Sequence, residues 1–411
     1  AAPGAASPHL APDGSGSGAL LLSWLEPLTA ADGSGAPGHR LRFARFADGH
    51  WSEPRTVATG TDFFANWADL PAVVRMGDGS LAAHWLAKTG AGTYDYGIRL
   101  ARSADGGATW TPAGVLHDDG EDRGGRGEHG FVSWLPEGTG LRAFWLDGRE
   151  TAAAVGLEGG HDSGHGGGHE DMGGAMTLRT ARLEPTPGTA TTIAVTEAAR
   201  VDGRVCDCCQ TDAAVTSLGP LVVYRDRSDG GEVRDIEARY RTAAGWSAPV
   251  AVGRDGWQIA GCPVNGPAVA ADGNRVAVAW FTGADPGARV RIAFSGDGGA
   301  SFGPPVEVDA DAPLGRVDLV LSAASEAVVG WLARGTAADG ANRAGLRLRR
   351  VAPDGRAGEP FTVAATGAAR SSGFPRLARS GDRLVLAWVD DAAPSRLRAV
   401  ALPLAALPAA R

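Results

Sequence analysis

The segment Arg275-Val-Ala-Val-Ala-Trp280 is a short apolar run that ends in an aromatic residue, and the pattern recurs along the chain. The six other copies are Ala19-Leu-Leu-Leu-Ser-Trp24, Ser80-Leu-Ala-Ala-His-Trp85, Leu141-Arg-Ala-Phe-Trp145, Pro220-Leu-Val-Val-Tyr224, Glu326-Ala-Val-Val-Gly-Trp331 and Arg383-Leu-Val-Leu-Ala-Trp388. Their terminal aromatic residues are 61, 60, 79, 56, 51 and 57 residues apart. A fixed period of this kind is typical of a repeat architecture. The sequence therefore predicts seven copies of one unit.

Each copy is flanked by further short strands. An apolar run and a turn precede it, as in Pro267-Ala-Val-Ala-Ala-Asp-Gly-Asn274, and an alternating strand such as Arg289-Val-Arg-Ile-Ala-Phe294 follows. A fourth strand, as in Pro304-Pro-Val-Glu-Val308, closes the unit, and many of the 61 glycines fall in the turns. Four short strands per unit without sustained helical periodicity predict an all-β fold. We expect residues 1–411 to form a single seven-bladed β-propeller of four-stranded antiparallel blades, with six blades less favoured.

Composition excludes several classes of protein. The formal charge is −8 and there is no basic stripe, so nucleic acid is not an expected partner. No run of 18 apolar residues occurs, so no membrane span is expected. The first residues, Ala1-Ala2-Pro3-Gly4, are small and lack a methionine, as in a chain whose signal peptide has been removed. A periplasmic or secreted location is therefore predicted.

Two turns between third and fourth strands share a motif. Ser103-Ala-Asp105-Gly-Gly107-Ala-Thr109-Trp110 and Ser295-Gly-Asp297-Gly-Gly299-Ala-Ser301-Phe302 match the Asp box, S-x-D-x-G-x-[ST]-[WF]. In such a hairpin the Asp carboxylate accepts hydrogen bonds from the turn while the aromatic side chain fills the blade. On these motifs and the repeat, the whole chain resembles the sialidase (BNR/Asp-box repeat) superfamily.

The resemblance implies a catalytic pattern that this sequence lacks. Sialidases of this fold use an arginine triad for a carboxylate, a Tyr/Glu nucleophile pair and an Asp acid, and their first arginine precedes an innermost strand. The matching position here is Asp69, within Asn66-Trp67-Ala68-Asp69-Leu70-Pro71. An aspartate at this position would repel a sialic acid carboxylate, so true sialidase activity is not expected.

All four cysteines precede innermost strands of neighbouring blades. Cys206, Cys208 and Cys209 open the fourth unit and Cys262 opens the fifth, so they are expected on one face near the axis. Disulfides alone, with Cys262 paired to one of the other three, are one interpretation. Thiolate coordination of a soft metal is an equally favoured one, and a reactive thiol nucleophile is a third.

The 79-residue interval contains an insertion in the third blade, residues 157–176. It holds the candidate ligands His161, His165, His169, Met172 and Met176 among many glycines. The alternative is a solvated low-complexity linker. Because methionine is a poor zinc ligand, the combination favours copper, with zinc as the alternative. His129, at the start of an inner strand, is a further candidate metal ligand.

Other polar residues of the same loops form a candidate rim for a small anionic ligand. These are Asn66, Trp67, Arg149, Arg225 and Asp226, with Asp69 and Glu150 as candidate acids or bases. The competing interpretation of the charged members is that they form salt bridges between blades and cap turns. The tryptophans of the second strands are expected to fill the core.

The sequence leads to one functional hypothesis and two alternatives. The hypothesis is an exported, sialidase-like propeller that binds copper through its cysteine cluster and its His/Met-rich loop, with metal-dependent redox catalysis left open. One alternative is a divergent glycoside hydrolase. The other is a binding propeller whose cysteines form structural disulfides.

Overall fold

A computed structural model describes residues 1–28, 38–117, 127–151, 174–186, 188–189, 192–228, 232–322, 326–335, 343–390 and 392–411. Within these residues, twenty-nine strands form seven antiparallel sheets, one for each repeat of the sequence. Helix is limited there to two three-residue 3-10 turns, Arg370–Ser372 and Leu404–Ala406, and no helix is long and apolar enough to cross a membrane. The predicted all-β seven-bladed propeller is confirmed.

The strands are numbered in chain order. Blades 1 and 2 contain β1 Ala6–Pro12, β2 Leu20–Pro27, β3 His39–Ala47, β4 His50–Trp51, β5 Arg55–Gly60, β6 Ala72–Arg75, β7 Leu81–Lys88, β8 Tyr96–Ser103 and β9 Thr111–Val115. Blades 3 and 4 contain β10 His129–Glu137, β11 Gly140–Asp147, β12 Thr177–Pro185, β13 Ile193–Asp202, β14 Asp212–Thr216, β15 Gly219–Arg225, β16 Ile236–Thr242, β17 Gly245–Trp246 and β18 Val250–Gly253. Blades 5 to 7 contain β19 Ala268–Asp272, β20 Arg275–Thr282, β21 Arg289–Ser295, β22 Val306–Asp309, β23 Pro313–Leu321, β24 Ala327–Arg334, β25 Arg343–Val351, β26 Phe361–Gly367, β27 Arg376–Ser380, β28 Arg383–Val389 and β29 Leu397–Pro403.

Consecutive strands pair within each blade from the innermost strand outward, except that β5 pairs with β3 and β18 with β16. Blades 1 and 4 carry an additional two-residue strand, and the seventh blade, in its described residues, has three strands. The N-terminal strand β1 is the innermost strand of blade 1, and Gly4 N–H donates to Ser395 O in blade 7 at 2.7 Å. The first and last blades are therefore in direct contact.

The core consists of apolar clusters between neighbouring blades. The aromatic residues of the second strands occupy it: Trp145, Tyr224, Trp280 and Trp331 are at most 2% exposed. Their polar atoms are paired, since the indole Nε1 of Trp145 donates to Asp147 Oδ2 at 2.8 Å. Most of these side chains therefore pack the core, as the sequence predicts.

The two Asp-box turns have the hydrogen bonds that their motif predicts. In the β8–β9 turn, Asp105 Oδ1 accepts hydrogen bonds from Ser103 Oγ at 2.8 Å and from Thr109 N–H at 2.9 Å. Asp105 Oδ2 accepts from Thr109 Oγ1 at 2.7 Å. Asp297 makes the same set of contacts in the β21–β22 turn. Both turns lie on one face, here called the Asp-box face, and the loops that lead from each blade to the next lie on the opposite face, here called the site face.

Three carboxylates join neighbouring blades around the central channel. Each stands at or just before an innermost strand and accepts a backbone N–H of the next blade's innermost strand. The pairs are Asp69 Oδ2 with Phe131 N (2.7 Å), Asp212 Oδ2 with Val269 N (2.8 Å) and Asp318 Oδ2 with Leu377 N (2.7 Å). Side-chain carboxylates thus replace the backbone ladder where one blade meets the next.

Candidate metal centre

The centre lies in the tight turn at residues 206–210, which connects β13 of blade 3 to β14 of blade 4. Cys206 N–H donates to Arg225 O at 3.0 Å, which anchors the turn to blade 4. Asp207, at its tip, accepts from Arg227 NH1 at 3.3 Å. The turn therefore places three cysteine side chains close together.

The four cysteines divide into a disulfide and a thiol pair. Cys208 is bonded to Cys262 of the next blade, with their Cα atoms 6.0 Å apart. The Cys206 and Cys209 thiols are free, their Sγ atoms are 3.1 Å apart, and both are at most 2% exposed. The Cys208–Cys262 bond is the kind of pairing that the disulfide interpretation expects, but the other two cysteines are not bonded to each other. The predicted four-cysteine ligand set is corrected to the free pair Cys206 and Cys209, whose spacing is Cys-x-x-Cys.

Three sulfurs lie within reach of one ion. The Sγ atoms of Cys206, Cys208 and Cys209 all lie within 4.8 Å of one another. A cluster of this kind could hold a metal. Because Cys208 is in a disulfide, the thiolates available in this state of the chain are those of Cys206 and Cys209.

The two thiols of the pair differ in how readily they lose a proton. Burial alone would raise the pKa of the Cys209 thiol. The hydrogen bond that it accepts from Cys206 and the charge of Arg225 outweigh burial, so the pKa is lowered to about 7. The same hydrogen bond, together with burial, raises the pKa of the Cys206 thiol. Cys209 is therefore the thiol of the pair that ionises first.

Gln210 fixes the turn to two other blades, a role that sequence reasoning missed. Its Nε2 donates to Ala68 O of blade 2 at 2.8 Å, and its Oε1 accepts from Gly266 N of blade 5 at 3.0 Å. Gly266 approaches so closely that a Cβ there would lie 2.0 Å from Gln210 O. The cysteine turn is thus held from both sides.

His129 does not join the sulfur cluster. Its ring stacks on His117 with centroids 3.9 Å apart, and its Nε2 lies 3.6 Å from Asp147 Oδ1. The side chain is 1% exposed. The structure places it in a buried contact with these two residues, and it is not among the ligand atoms that surround the cysteines.

In the sequence, the His/Met-rich insertion follows β11 and precedes β12. His161, His165, His169 and Met172 lie outside the described residues, so their role stays a prediction. Met176 is described, and its assignment as a metal ligand needs correction. It is 2% exposed and packs with Phe144, Val222 and Tyr224, because it directly precedes β12 and belongs to the blade core.

Two predicted rim arginines are engaged in structural contacts. Arg225 is 2% exposed and donates to three carbonyl oxygens, at 2.9 Å to Asn265 and 2.6 Å to both Arg234 and Phe281. Arg149 Nε donates to Asp147 Oδ1 at 2.7 Å. The sequence could not show these contacts, and Arg225 is corrected from a ligand contact to a buried support of the cysteine turn.

Glu150, a candidate acid or base, is an ion-pair residue. Its Oε1 accepts from Arg179 NH2 at 2.7 Å and its Oε2 from Arg200 NH1 at 3.3 Å. This arrangement matches the salt-bridge interpretation of the charged loop residues.

The rim of the site face contains a different pair of arginines. The guanidinium carbons of Arg316 and Arg370 lie 5.1 and 5.9 Å from the ring centre of Trp67, which stacks on Phe374. Burial and the neighbouring charge of Arg370 lower the pKa of Arg316 to about 10. Arg316 NH1 donates to the carbonyl oxygens of Ala369 and Gly373 at 3.0 and 3.1 Å, and no carboxylate among the described residues forms an ion pair with either arginine. Asn66 is adjacent, and its Oδ1 caps the turn by accepting from Ala68 N–H at 2.9 Å.

Asp69 and Glu128 form an acidic pair beside the turn. Asp69 is 3% exposed, and its Oδ1 has no hydrogen-bond partner. Burial raises the pKa of Asp69 to about 8, and burial raises that of Glu128 to about 7. Tyr96 donates its hydroxyl to Glu128 Oε1. At neutral pH Asp69 is therefore mostly protonated, which the sequence alone did not indicate.

A cavity of about 560 Å³ lies in the channel, lined by residues of innermost strands. Asp212 and Asp318 face it together with Arg376, whose Nε lies 3.1 Å from Asp318 Oδ2. Burial raises the pKa of Asp212 to about 6.

A second group of possible cation ligands lies where blade 3 meets blade 4. Carboxylate oxygens of Asp202, Asp226 and Glu237 lie within 4.8 Å of one another. Asp202 Oδ2 already accepts from Tyr224 OH at 2.7 Å and from Arg239 NH2 at 2.6 Å. Such an acidic group could also hold a metal, but much of its charge is compensated.

Comparison with known proteins finds only distant likenesses of structure. No family model matches the sequence, and no curated protein matches it. A Dyadobacter fermentans protein of unknown function aligns with TM-score 0.48 and 14% identity over 97% of this chain and 94% of that one. The Hadza microbial sialidase Hz136 aligns with TM-score 0.49 and 14% identity over 90% and 74%. Trypanosoma rangeli sialidase in complex with sialic acid aligns with TM-score 0.47 and 14% identity over 93% and 59%. With its seven blades and two Asp-box turns, the chain is a sialidase-like β-propeller.

Proposed function

We propose that this propeller binds a soft transition-metal ion, copper in first place, between the thiolates of Cys206 and Cys209 on its site face. The observation that carries the proposal is the buried thiol pair, with Sγ atoms 3.1 Å apart and a third sulfur within 4.8 Å. Thiolate ligands favour soft ions such as Cu(I). A structural zinc site needs four protein ligands, whereas the oxidised chain offers two thiolates here.

The surroundings support binding of a cation to this pair. Cys209 ionises before Cys206, and an ion that binds both sulfurs as thiolates displaces the protons that remain on them. The charge of Arg225 would oppose a cation, but its guanidinium is directed to three backbone carbonyls. The predicted His/Met arm, with His161, His165, His169 and Met172, would deliver copper to the pair.

Two further parts of the proposal rest on separate observations. Export to the periplasm or the medium is supported by the Cys208–Cys262 disulfide, because such bonds persist mainly in oxidising compartments. A small anionic ligand near the metal is supported by Arg316 and Arg370 over Trp67.

The test is a titration of the full chain with Cu(I) against a chromogenic chelator, in ascorbate under argon, with thiols counted on the same sample. We expect one tightly bound ion in the wild type. Cys206→Ser and Cys209→Ser should each weaken binding by more than about 100-fold, since even outer-shell partners contribute about 10- to 100-fold. Ser301→Ala, in the Asp-box turn of the opposite face, is the matched control and should bind as the wild type does. Unchanged affinity in both cysteine variants would refute the proposal and leave a propeller with a structural disulfide.

The contribution of the insertion is tested separately. Replacing His161, His165 and His169 together by alanine should slow copper transfer from a chelator while leaving the final stoichiometry at one ion. An unchanged transfer rate would show that these histidines form an inert linker.

A further inference from the structure

The disulfide next to the thiol pair removes one potential ligand from the site. Cys208 Sγ lies within 4.8 Å of both free sulfurs, yet its bond to Cys262 prevents it from acting as a thiolate. Without that bond, the same backbone would present three thiolates to one ion instead of two. Only thiolates are strong ligands for soft metals, so the state of the disulfide sets the number of ligands.

We infer that the Cys208–Cys262 disulfide is a redox gate on the metal site: its reduction frees Cys208 as a third thiolate and tightens metal binding. This gate rests on the proposed function, because it regulates the metal binding that is proposed there.

The disulfide is accessible to a reductant from one side. Cys262 is exposed and Cys208 is half-buried, while Cys206 and Cys209 are buried. A small thiol can therefore attack at Cys262 more readily than at the interior sulfurs.

The reaction is balanced with a small thiol as the two-electron reductant. The thiolate of the first molecule forms a bond to Cys262 Sγ, the Cys208–Cys262 bond breaks, and its electron pair remains on Cys208 as a thiolate. A second thiol then displaces Cys262 from the mixed disulfide. Two thiols are oxidised to one disulfide, and Cys208 and Cys262 are each reduced by one electron.

The released sulfur does not need to travel to the site. Gln210 bonds to blades 2 and 5, and Arg227 holds Asp207. These contacts do not involve the disulfide, so the turn keeps its three sulfurs together after reduction. Cys262, on the exposed loop of blade 5, is then free to leave.

Two variants remove the same disulfide but leave different sulfurs. Cys262→Ser leaves Cys208 in the cluster, whereas Cys208→Ser leaves Cys262 on the exposed loop. Both variants lose the same crosslink and therefore the same folding stability. A difference in metal affinity between them is then due to the sulfur that each variant keeps. Thiol counts define each state: two in the oxidised wild type, four after reduction and three in either variant.

The experiment measures Cu(I) affinity against a chromogenic chelator, in ascorbate, before and after treatment with a phosphine reductant. We expect reduction to raise wild-type affinity at least about 10-fold, on the scale of one coordinating contact. Cys262→Ser should show the raised affinity without the reductant, and Cys208→Ser should keep the low affinity in both conditions.

Different results would refute the redox gate and the metal site. If the wild type binds copper and loses it in Cys206→Ser, but reduction and Cys262→Ser leave affinity unchanged, the disulfide only crosslinks two blades and the gate is refuted. An increase in Cys208→Ser on reduction would also refute it. If the wild type binds no copper in either state, the proposed function fails.

Discussion

The two faces of the propeller use the same kind of side chain in opposite ways. On the Asp-box face, Asp105 has both carboxylate oxygens bonded within its own turn, and its hydrogen bonds from Thr109 and Ser103 hold its pKa well below the usual range. On the site face, burial raises the pKa of Asp69 to about 8, and one oxygen has no partner. Asp105 thus stabilises its own turn, whereas Asp69 keeps a buried carboxyl oxygen without a hydrogen-bond partner.

The largest expected effect comes from a steric clash on the site face. Gly266→Ala would place a Cβ 2.0 Å from Gln210 O, in a backbone contact that cannot rotate away. We expect a loss of about 1–3 kcal/mol or more in the free energy of unfolding, as for overpacked interiors. Copper affinity should fall as well, because the cysteine turn must shift.

The matched control is Gly303→Ala on the opposite face, where the nearest atom would lie at an ordinary 3.6 Å. It should change neither unfolding in denaturant nor copper titration. Equal behaviour of the two variants would contradict the close contact at Gly266.

The next effect concerns the Asp-box face alone. Asp297→Ala removes the acceptor for Ser295 Oγ, Ser301 N–H and Ser301 Oγ. We expect about 1–2 kcal/mol of destabilisation, since the turn is exposed and water replaces part of these bonds. Copper affinity should stay at the wild-type value, and a change in it would show that the two faces are coupled.

A smaller effect is the pH dependence that Asp69 imposes. Its pKa rises from 3.8 in the unfolded chain to about 8 in the fold, so the folded state binds more protons between these values. Its contribution to the free energy of unfolding is therefore full below about pH 4, falls as pH rises, and is lost above about pH 8. Asp69→Asn keeps an oxygen acceptor for Phe131 N–H and removes the titration.

The measurement is urea unfolding of both proteins from pH 5 to pH 9. Relative to the wild type, Asp69→Asn should gain stability steadily as pH rises, with the difference levelling off above about pH 8. A constant difference across this range would mean that Asp69 is ionised in the fold throughout.

The smallest expected effect tests the rim. Arg370 is exposed and adds charge next to Arg316, so Arg370→Ala should change folding stability by less than about 0.5 kcal/mol. It should, however, abolish the rise in melting temperature that we expect sulfate to give the wild type at constant ionic strength. If sulfate stabilises the wild type and Arg370→Ala equally, Arg370 does not bind an anion and this part of the proposal is wrong.

The sequence predicted the fold well because the repeat and the Asp boxes are local patterns. The spacing of the aromatic residues gave the blade count, and Ser103, Asp105 and Thr109 determine their turn without help from distant residues. For the site, the sequence predicted which loops come together but not the role of each residue in them. Cys206, Cys208 and Cys209 are equivalent in the sequence, and only the turn geometry shows which one reaches Cys262. The role of Arg225 depends on carbonyl groups of blade 5, at Asn265 and at Phe281 in β20, which no residue pattern encodes.

X-ray absorption at the copper edge counts the atoms bound to the metal. Measured on the Cu(I)-loaded chain with its disulfide intact, it is the most direct test of copper binding at the thiol pair. Binding between Cys206 and Cys209 predicts two sulfur neighbours and the loss of sulfur scattering in the Cys206→Ser, Cys209→Ser double variant. A spectrum with only nitrogen and oxygen neighbours, or sulfur scattering that persists in the double variant, would contradict it.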